Sequence, residues 1–179
     1  MLIYTLPQLY KAIVLERPSK TCKSPYIADI KVLQQKTIND TKFIIRSDEC
    51  MAHSPSLGCA GLISLNSIVY CIKLDNEKLT SKYRIFQCQI QDQSNKIIIG
   101  TNPNVCNTLF ENILNTNILS QFNGYTIKRE YTIGNSRIDF LLQNESNTND
   151  KILIEVKNVC LAYYDDIPIK ELQKKDYSN

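Results

Sequence analysis

Two short stretches late in the chain, Ser136-Arg-Ile-Asp-Phe-Leu-Leu142 and Lys151-Ile-Leu-Ile-Glu-Val-Lys157, decide how the sequence is read. Gly134-Asn135 is a tight-turn dipeptide before the first, and the polar run 143–150 separates it from the second, so both read as strands. Side chains alternate faces along a strand. Glu155 and Lys157 therefore point one way above Leu153, and Ile152, Ile154 and Val156 point the other. If the two strands pair, Asp139 and Glu155 come within reach of one divalent cation. A hard ion such as Mg²⁺ prefers oxygen ligands. It would orient a scissile phosphate and acidify a water, with Lys157 orienting that water or steadying the transition-state charge. The same Glu-x-Lys spacing also arises from a lysine–carboxylate pair on a solvated sheet face. Against that, Lys151–Val156 begins apolar on both faces, which predicts a central strand where a charge is costly unless paired or bound to metal.

Upstream, the segments 26–33, 42–46, 67–74 and 83–91 are short and rich in β-branched or aromatic residues. Turn formers at Asn39-Asp40, Asp75-Asn76-Glu77 and Gln93-Ser94-Asn95 separate them. Several short strands in the first 90 or so residues predict a small barrel, with an OB-like barrel one member of that class. Asn102 suits a helix N-cap and Pro103 the first helical position. The periodicity then predicts a helix over about 103–117, with Val105, Leu109 and Ile113 on one stripe. Residues 125–133 return to strand alternation. The expected class is α+β, divided into an N-terminal unit over 1–92 and a second unit over 93–179.

Bulk properties narrow the function classes. The 43% hydrophobic and 22% charged fractions suit a soluble globular chain. No stretch approaches the apolar length of a membrane span, and Met1–Pro7 lacks the basic and apolar regions of a secretory signal. The seven cysteines, at 22, 50, 59, 71, 88, 106 and 160, include no C-x-x-C, and His53 is the sole histidine. This argues against zinc and for reduced, mostly buried thiols in an intracellular, cytoplasmic protein. The net charge of +3 permits a polyanion partner without requiring one. Arg17, Lys20 and Lys23 are candidate phosphate contacts, or an ordinary solvated basic segment.

The chain resembles the sugar fermentation stimulation protein (SfsA) family. The resemblance rests on Glu130-Tyr-Thr-Ile-Gly-Asn-Ser-Arg-Ile-Asp-Phe-Leu-Leu142, Ile154-Glu-Val-Lys-Asn-Val159 and Thr101-Asn-Pro-Asn104 before a helix. Looser matches are Arg17-Pro-Ser-Lys20 and His53-Ser-Pro-Ser-Leu-Gly58. It spans about residues 14–160. The resemblance implies an N-terminal OB-like barrel that binds nucleic acid, followed by an α/β domain of the PD-(D/E)xK nuclease fold. It places Asp139 on the metal-binding aspartate and Glu155 and Lys157 on the (D/E)xK pair, with Mg²⁺ or Mn²⁺ as cofactor. Glu130, at a family acidic position, and Glu111, on the preceding helix, are secondary metal candidates. His53 and Arg137 join Arg17, Lys20 and Lys23 as candidate contacts to DNA, or RNA. Two departures stand out. Cys59-Ala-Gly61 replaces an element where many members carry arginine. The family's later Pro-Asp-Ala segment, Arg-Gly pair and His-containing helix are missing before Asn179, so the second domain is expected to be incomplete. The functional expectation is a DNA-binding protein with a phosphodiester-hydrolysing site. The alternatives are a DNA-binding regulator that does not cleave and a structural adaptor.

Overall fold

The computed structural model describes residues 2–38, 41–57, 59–76, 78–92 and 94–159. These residues are mostly β, with one α-helix. Six strands form the first sheet: β1 (Tyr10–Glu16), β2 (Ile27–Ile38), β3 (Thr41–His53), β4 (Ile68–Lys73), β5 (Tyr83–Asp92) and β6 (Asn95–Gly100). Their order is β3-β2-β1-β4-β5-β6, with antiparallel neighbours. In addition, β3 meets β5 in parallel at Ala52↔Tyr83 and His53↔Arg84. The pairings β1-β2-β3-β5-β4 thus lead back to β1.

The core of this sheet follows the period of two that strands impose. Ala12 and Val14, then Ala28, Ile30 and Val32, then Val69 and Cys71 are buried at alternate positions. On β5 the inward residues are Ile85 and Cys88, three apart, because the register with β4 shifts between Tyr70 and Cys71. Such an irregularity re-aims side chains. Phe86, the residue it displaces, lines a cavity of about 280 Å³ with Tyr4, Leu6, Val105 and Leu109.

Two of the upstream expectations need correction. Tyr10–Glu16 was not marked as a strand by its pattern, yet it pairs on both sides, because apolar residues on both faces hide the alternation. The 42–46 segment extends to His53, so that histidine closes a strand. The 92/93 division falls at the turn joining β5 to β6, which pair with each other.

The helix α1 (Asn104–Asn115) starts one residue later than its capping pattern predicts. Asn102 still serves the helix start, accepting the Asn104 N–H through Oδ1 at 3.2 Å. The helix carries two apolar stripes, not one. Val105 and Leu109 face the cavity beside Phe86. Phe110 and buried Leu114 lie on another stripe, and the Phe110 ring meets the Phe140 ring edge-on at 5.3 Å. The second sheet comprises β7 (Tyr125–Ile133), β8 (Ser136–Asn144) and β9 (Lys151–Ile154), all antiparallel in the order β7-β8-β9. The central strand is therefore β8, whose Phe140, Leu141 and Leu142 are buried. Among the described residues β9 is an edge strand, contrary to the expectation from its apolar start, and Leu153 is 49% exposed.

Candidate metal centre

The register Phe140↔Ile154 continues to Asp139 opposite Glu155, one residue past the end of β9. Sequence pairing logic thus brings the two carboxylates together as expected. The Asp139 N–H points at Glu155 Oε2, 3.4 Å away. Asp139 Oδ2 accepts the Val156 N–H at 2.8 Å, replacing the ladder bond where β9 stops. Its Oδ1 accepts Asn107 Nδ2–H at 2.9 Å. Asp139 is thereby fixed by one donor from its partner segment and one from α1. Asn107 was not among the sequence candidates. Its signal is the stripe Asn107, Phe110, Glu111, Leu114, whose spacing of three and four places those residues on one helix face.

Lys157 Nζ donates to Glu155 Oε1 at 2.6 Å, and both side chains are substantially exposed. Burial therefore does not force these charges to bind metal, because water already reaches them. The bond to Glu155 holds the Lys157 ammonium above the usual 10.5, with some opposition from desolvation and further help from the Glu155 and Asp139 charges. Lys157 is accordingly a cation at neutral pH. A raised lysine value means that the pair's contribution is complete below 10.5 and fades as pH rises through the elevated value. We expect an NMR titration of the Lys157 side chain to show a midpoint above that of free lysine. Glu155→Gln should restore the ordinary midpoint, and an unchanged titration in that variant would refute the pairing.

The secondary acids are engaged elsewhere. Glu111 binds Arg129 at 2.8 Å, and Arg129 also lies over the Phe140 ring. Glu130 falls opposite Asp139 in the β7–β8 register, between the pairs Arg129↔Phe140 and Tyr131↔Ile138. It adopts φ +52°, rare for a residue with a side chain, and its carboxylate meets Arg137 Nε at 2.7 Å. Among the described residues no group of three or more His, Cys, Asp or Glu side chains gathers at one point.

The nucleic-acid candidates separate into two places. Arg17 donates to the Pro25 and Ser56 carbonyls at 2.8 and 2.7 Å, fastening two loops of the first sheet. Lys20 meets Glu16 at 3.4 Å, Lys23 is exposed, and His53 stacks on Tyr26. Arg137 lies on the second sheet with Glu130. The described cysteines are all free thiols, three of them buried, and burial pushes Cys71 up to about 12. No helix of the described residues is long and apolar enough to cross a membrane.

A two-sheet, mostly β protein with an aspartate and a glutamate opposed at one strand end is the class that these features define. Its fold is shared with the solved structure of Pyrococcus furiosus SfsA in complex with Ca²⁺, at a TM-score of 0.65 and 22% identity over 97% of this chain and 70% of that one. Residues 104–168 match the family model described as the sugar fermentation stimulation protein RE domain. The sugar fermentation stimulation protein homolog of Maricaulis maris is 34% identical over 60% of this chain and 45% of its own length. That of Clostridium novyi is 33% identical over 65% and 49%. These matches make the chain similar to SfsA family proteins over part of its length. The chain spans about half the length of those two relatives.

Proposed function

We propose that this protein binds DNA and carries, at the β8–β9 end, a metal-dependent nuclease-like site of the PD-(D/E)xK type that hydrolyses phosphodiester bonds. The observation that carries the proposal is Asp139 opposed to Glu155 across β8 and β9, with Lys157 two residues on. In this reading the circuit β1-β2-β3-β5-β4 is an OB-like barrel that holds nucleic acid, and α1 with β7–β9 forms the nuclease-like core.

The donor set suits Mg²⁺ or Mn²⁺: two carboxylates and no soft ligand, with coordination completed by water and substrate phosphate. The Ca²⁺ named with the P. furiosus protein is also an oxygen-seeking ion. When bound, the metal supplies Lewis acidity, lowering the pKa of a water and offsetting charge on the phosphate. Asp139 and Glu155 would hold it. Val156 N–H and Asn107 keep Asp139 in one orientation. As a holder of the metal, Glu155 would give up its bond to Lys157, leaving that ammonium free to donate to a phosphate oxygen. Lys157 would act there as a donor and a positive charge beside the phosphate.

The purified protein should cleave single- or double-stranded DNA with Mn²⁺ or Mg²⁺ and fail to do so in EDTA. The rival is a DNA-binding regulator that does not cleave. It is favoured by the Lys157–Glu155 ion pair and because no third acid among the described residues gathers with Asp139 and Glu155. Salt-sensitive DNA binding with no cleavage under any divalent metal would establish that rival.

Asn107 provides an independent check. Partners that orient a metal ligand are worth about 10- to 100-fold in metal affinity. Asn107→Ala should weaken Mn²⁺ binding by calorimetry within that range, while lowering stability by only about 1 kcal/mol. Unchanged affinity would remove Asn107 from the site.

A further inference from the structure

Away from the carboxylates, the short parallel pairing of β3 with β5 sets His53 directly beside Arg84. Both line a cavity of about 480 Å³, whose other walls include Ile27, Met51, Leu74 and Leu79. His53 Nδ1 and Arg84 Nε are buried, and neither has a hydrogen-bond partner among the described residues. Buried polar atoms in folded proteins are nearly always partnered. A guanidinium is a permanent cation, and an N–H of it left unpaired against apolar walls is costly. Among the described residues that line the cavity, Arg84 is the only permanently charged one. The chamber thus combines one uncompensated positive charge, an imidazole nitrogen and an apolar interior, the makeup of a small-ligand pocket.

We propose that this cavity binds a small organic acid, its carboxylate or phosphate on Arg84 and His53 and its apolar body against Ile27, Met51, Leu74 and Leu79. Arg84 Nε–H donates to one oxygen of the acid. His53 donates through Nδ1–H to a second. Burial and the neighbouring Arg84 charge both lower the His53 pKa, so this imidazole is neutral at pH 7 and the pocket carries a single positive charge. That favours a small acid over a polyanion. The site lies on the first sheet and does not depend on metal binding at Asp139.

The test uses benzoate, phenyl phosphate and uncharged benzyl alcohol as probes, followed by ligand-observed NMR and calorimetry. At least one acid should bind saturably, and at least tenfold more tightly than the alcohol. The tighter of the two acids identifies the headgroup. Arg84→Met, similar in shape but uncharged, should weaken that acid at least tenfold. Leu79→Trp fills the cavity from a partly exposed connection outside the strands, so it should block binding without threatening the fold. No saturable binding by either acid would overturn the proposal. So would equal binding of the alcohol, or full affinity in a folded Leu79→Trp protein. Displacement of the bound acid by a short single-stranded oligonucleotide would also overturn it, reassigning the cavity as part of a nucleic-acid surface.

Discussion

Asp139→Asn should abolish metal-dependent phosphodiester cleavage and weaken Mn²⁺ binding by more than about 100-fold while leaving the protein folded. The magnitude follows from position. Groups that merely orient a metal ligand are worth about 10- to 100-fold, so a direct ligand should exceed that range. The choice of asparagine follows from the hydrogen bonds. Asp139 accepts from Val156 N–H and from Asn107 Nδ2. Alanine would strand both donors and cost about 1–3 kcal/mol for each one left buried. A loss of activity in Asp139→Ala could then reflect a loosened β8–β9 end. Asparagine keeps one carbonyl oxygen for the Val156 N–H, and a flip of the Asn107 amide lets its Oδ1 accept from the new Nδ2, so the charge is lost with both contacts kept. Cleavage retained at the wild-type rate by a folded Asp139→Asn protein would refute the assignment of this residue, whatever the metal. The outcome also separates the two readings of the protein. If wild type binds DNA without cutting it, Asp139→Asn should bind at least as well, since it removes a negative charge.

The opposition of Asp139 and Glu155 was legible because it depends on local rules. Gly134-Asn135 fixes a tight turn, strand alternation sets the faces, and one register then determines which residues meet. The position of β9 was misread for an equally local reason. Ile152 and Ile154 face inward, and Leu153, though apolar, is on the exposed face. A single exposed leucine is ordinary on a protein surface, yet in a four-residue strand it is enough to imitate burial on both faces. Asn107 was hidden differently. The helix has apolar residues on two stripes, and the Val105–Leu109 stripe masks the one that meets β8. His53 beside Arg84 was beyond local pattern altogether. Their adjacency comes from a two-residue parallel pairing between strands that are distant in sequence, and no periodicity within either strand encodes it. Local geometry was therefore readable at the carboxylates, and long-range pairing was not.

The largest stability effect should come from Phe140→Ala. Phe140 is fully buried in the central strand β8, beside Asp139 in sequence and paired with Ile154. Its ring meets Phe110 from α1 at 5.3 Å, and the Arg129 guanidinium lies 5.7 Å from its centre. Truncating a buried phenylalanine costs about 3–5 kcal/mol, the removed apolar surface and the residual cavity both contributing. Urea denaturation should show a loss in that range, and a loss below about 1 kcal/mol would mean that the second sheet does not depend on this ring. A double-mutant cycle with Phe110→Ala should give a coupling of about 0.5–1.5 kcal/mol, the usual value for an aromatic pair. The same contact bears on the site. Phe110 sits one turn after Asn107, so the Phe110–Phe140 contact sets how closely α1 approaches Asp139. Phe110→Ala, which touches neither carboxylate, should therefore weaken Mn²⁺ binding in the same direction as Asn107→Ala. Combined with Asn107→Ala, it should add little further loss, because both changes remove one support of Asp139. Fully additive losses would show that the helix influences the carboxylate by some route other than Asn107.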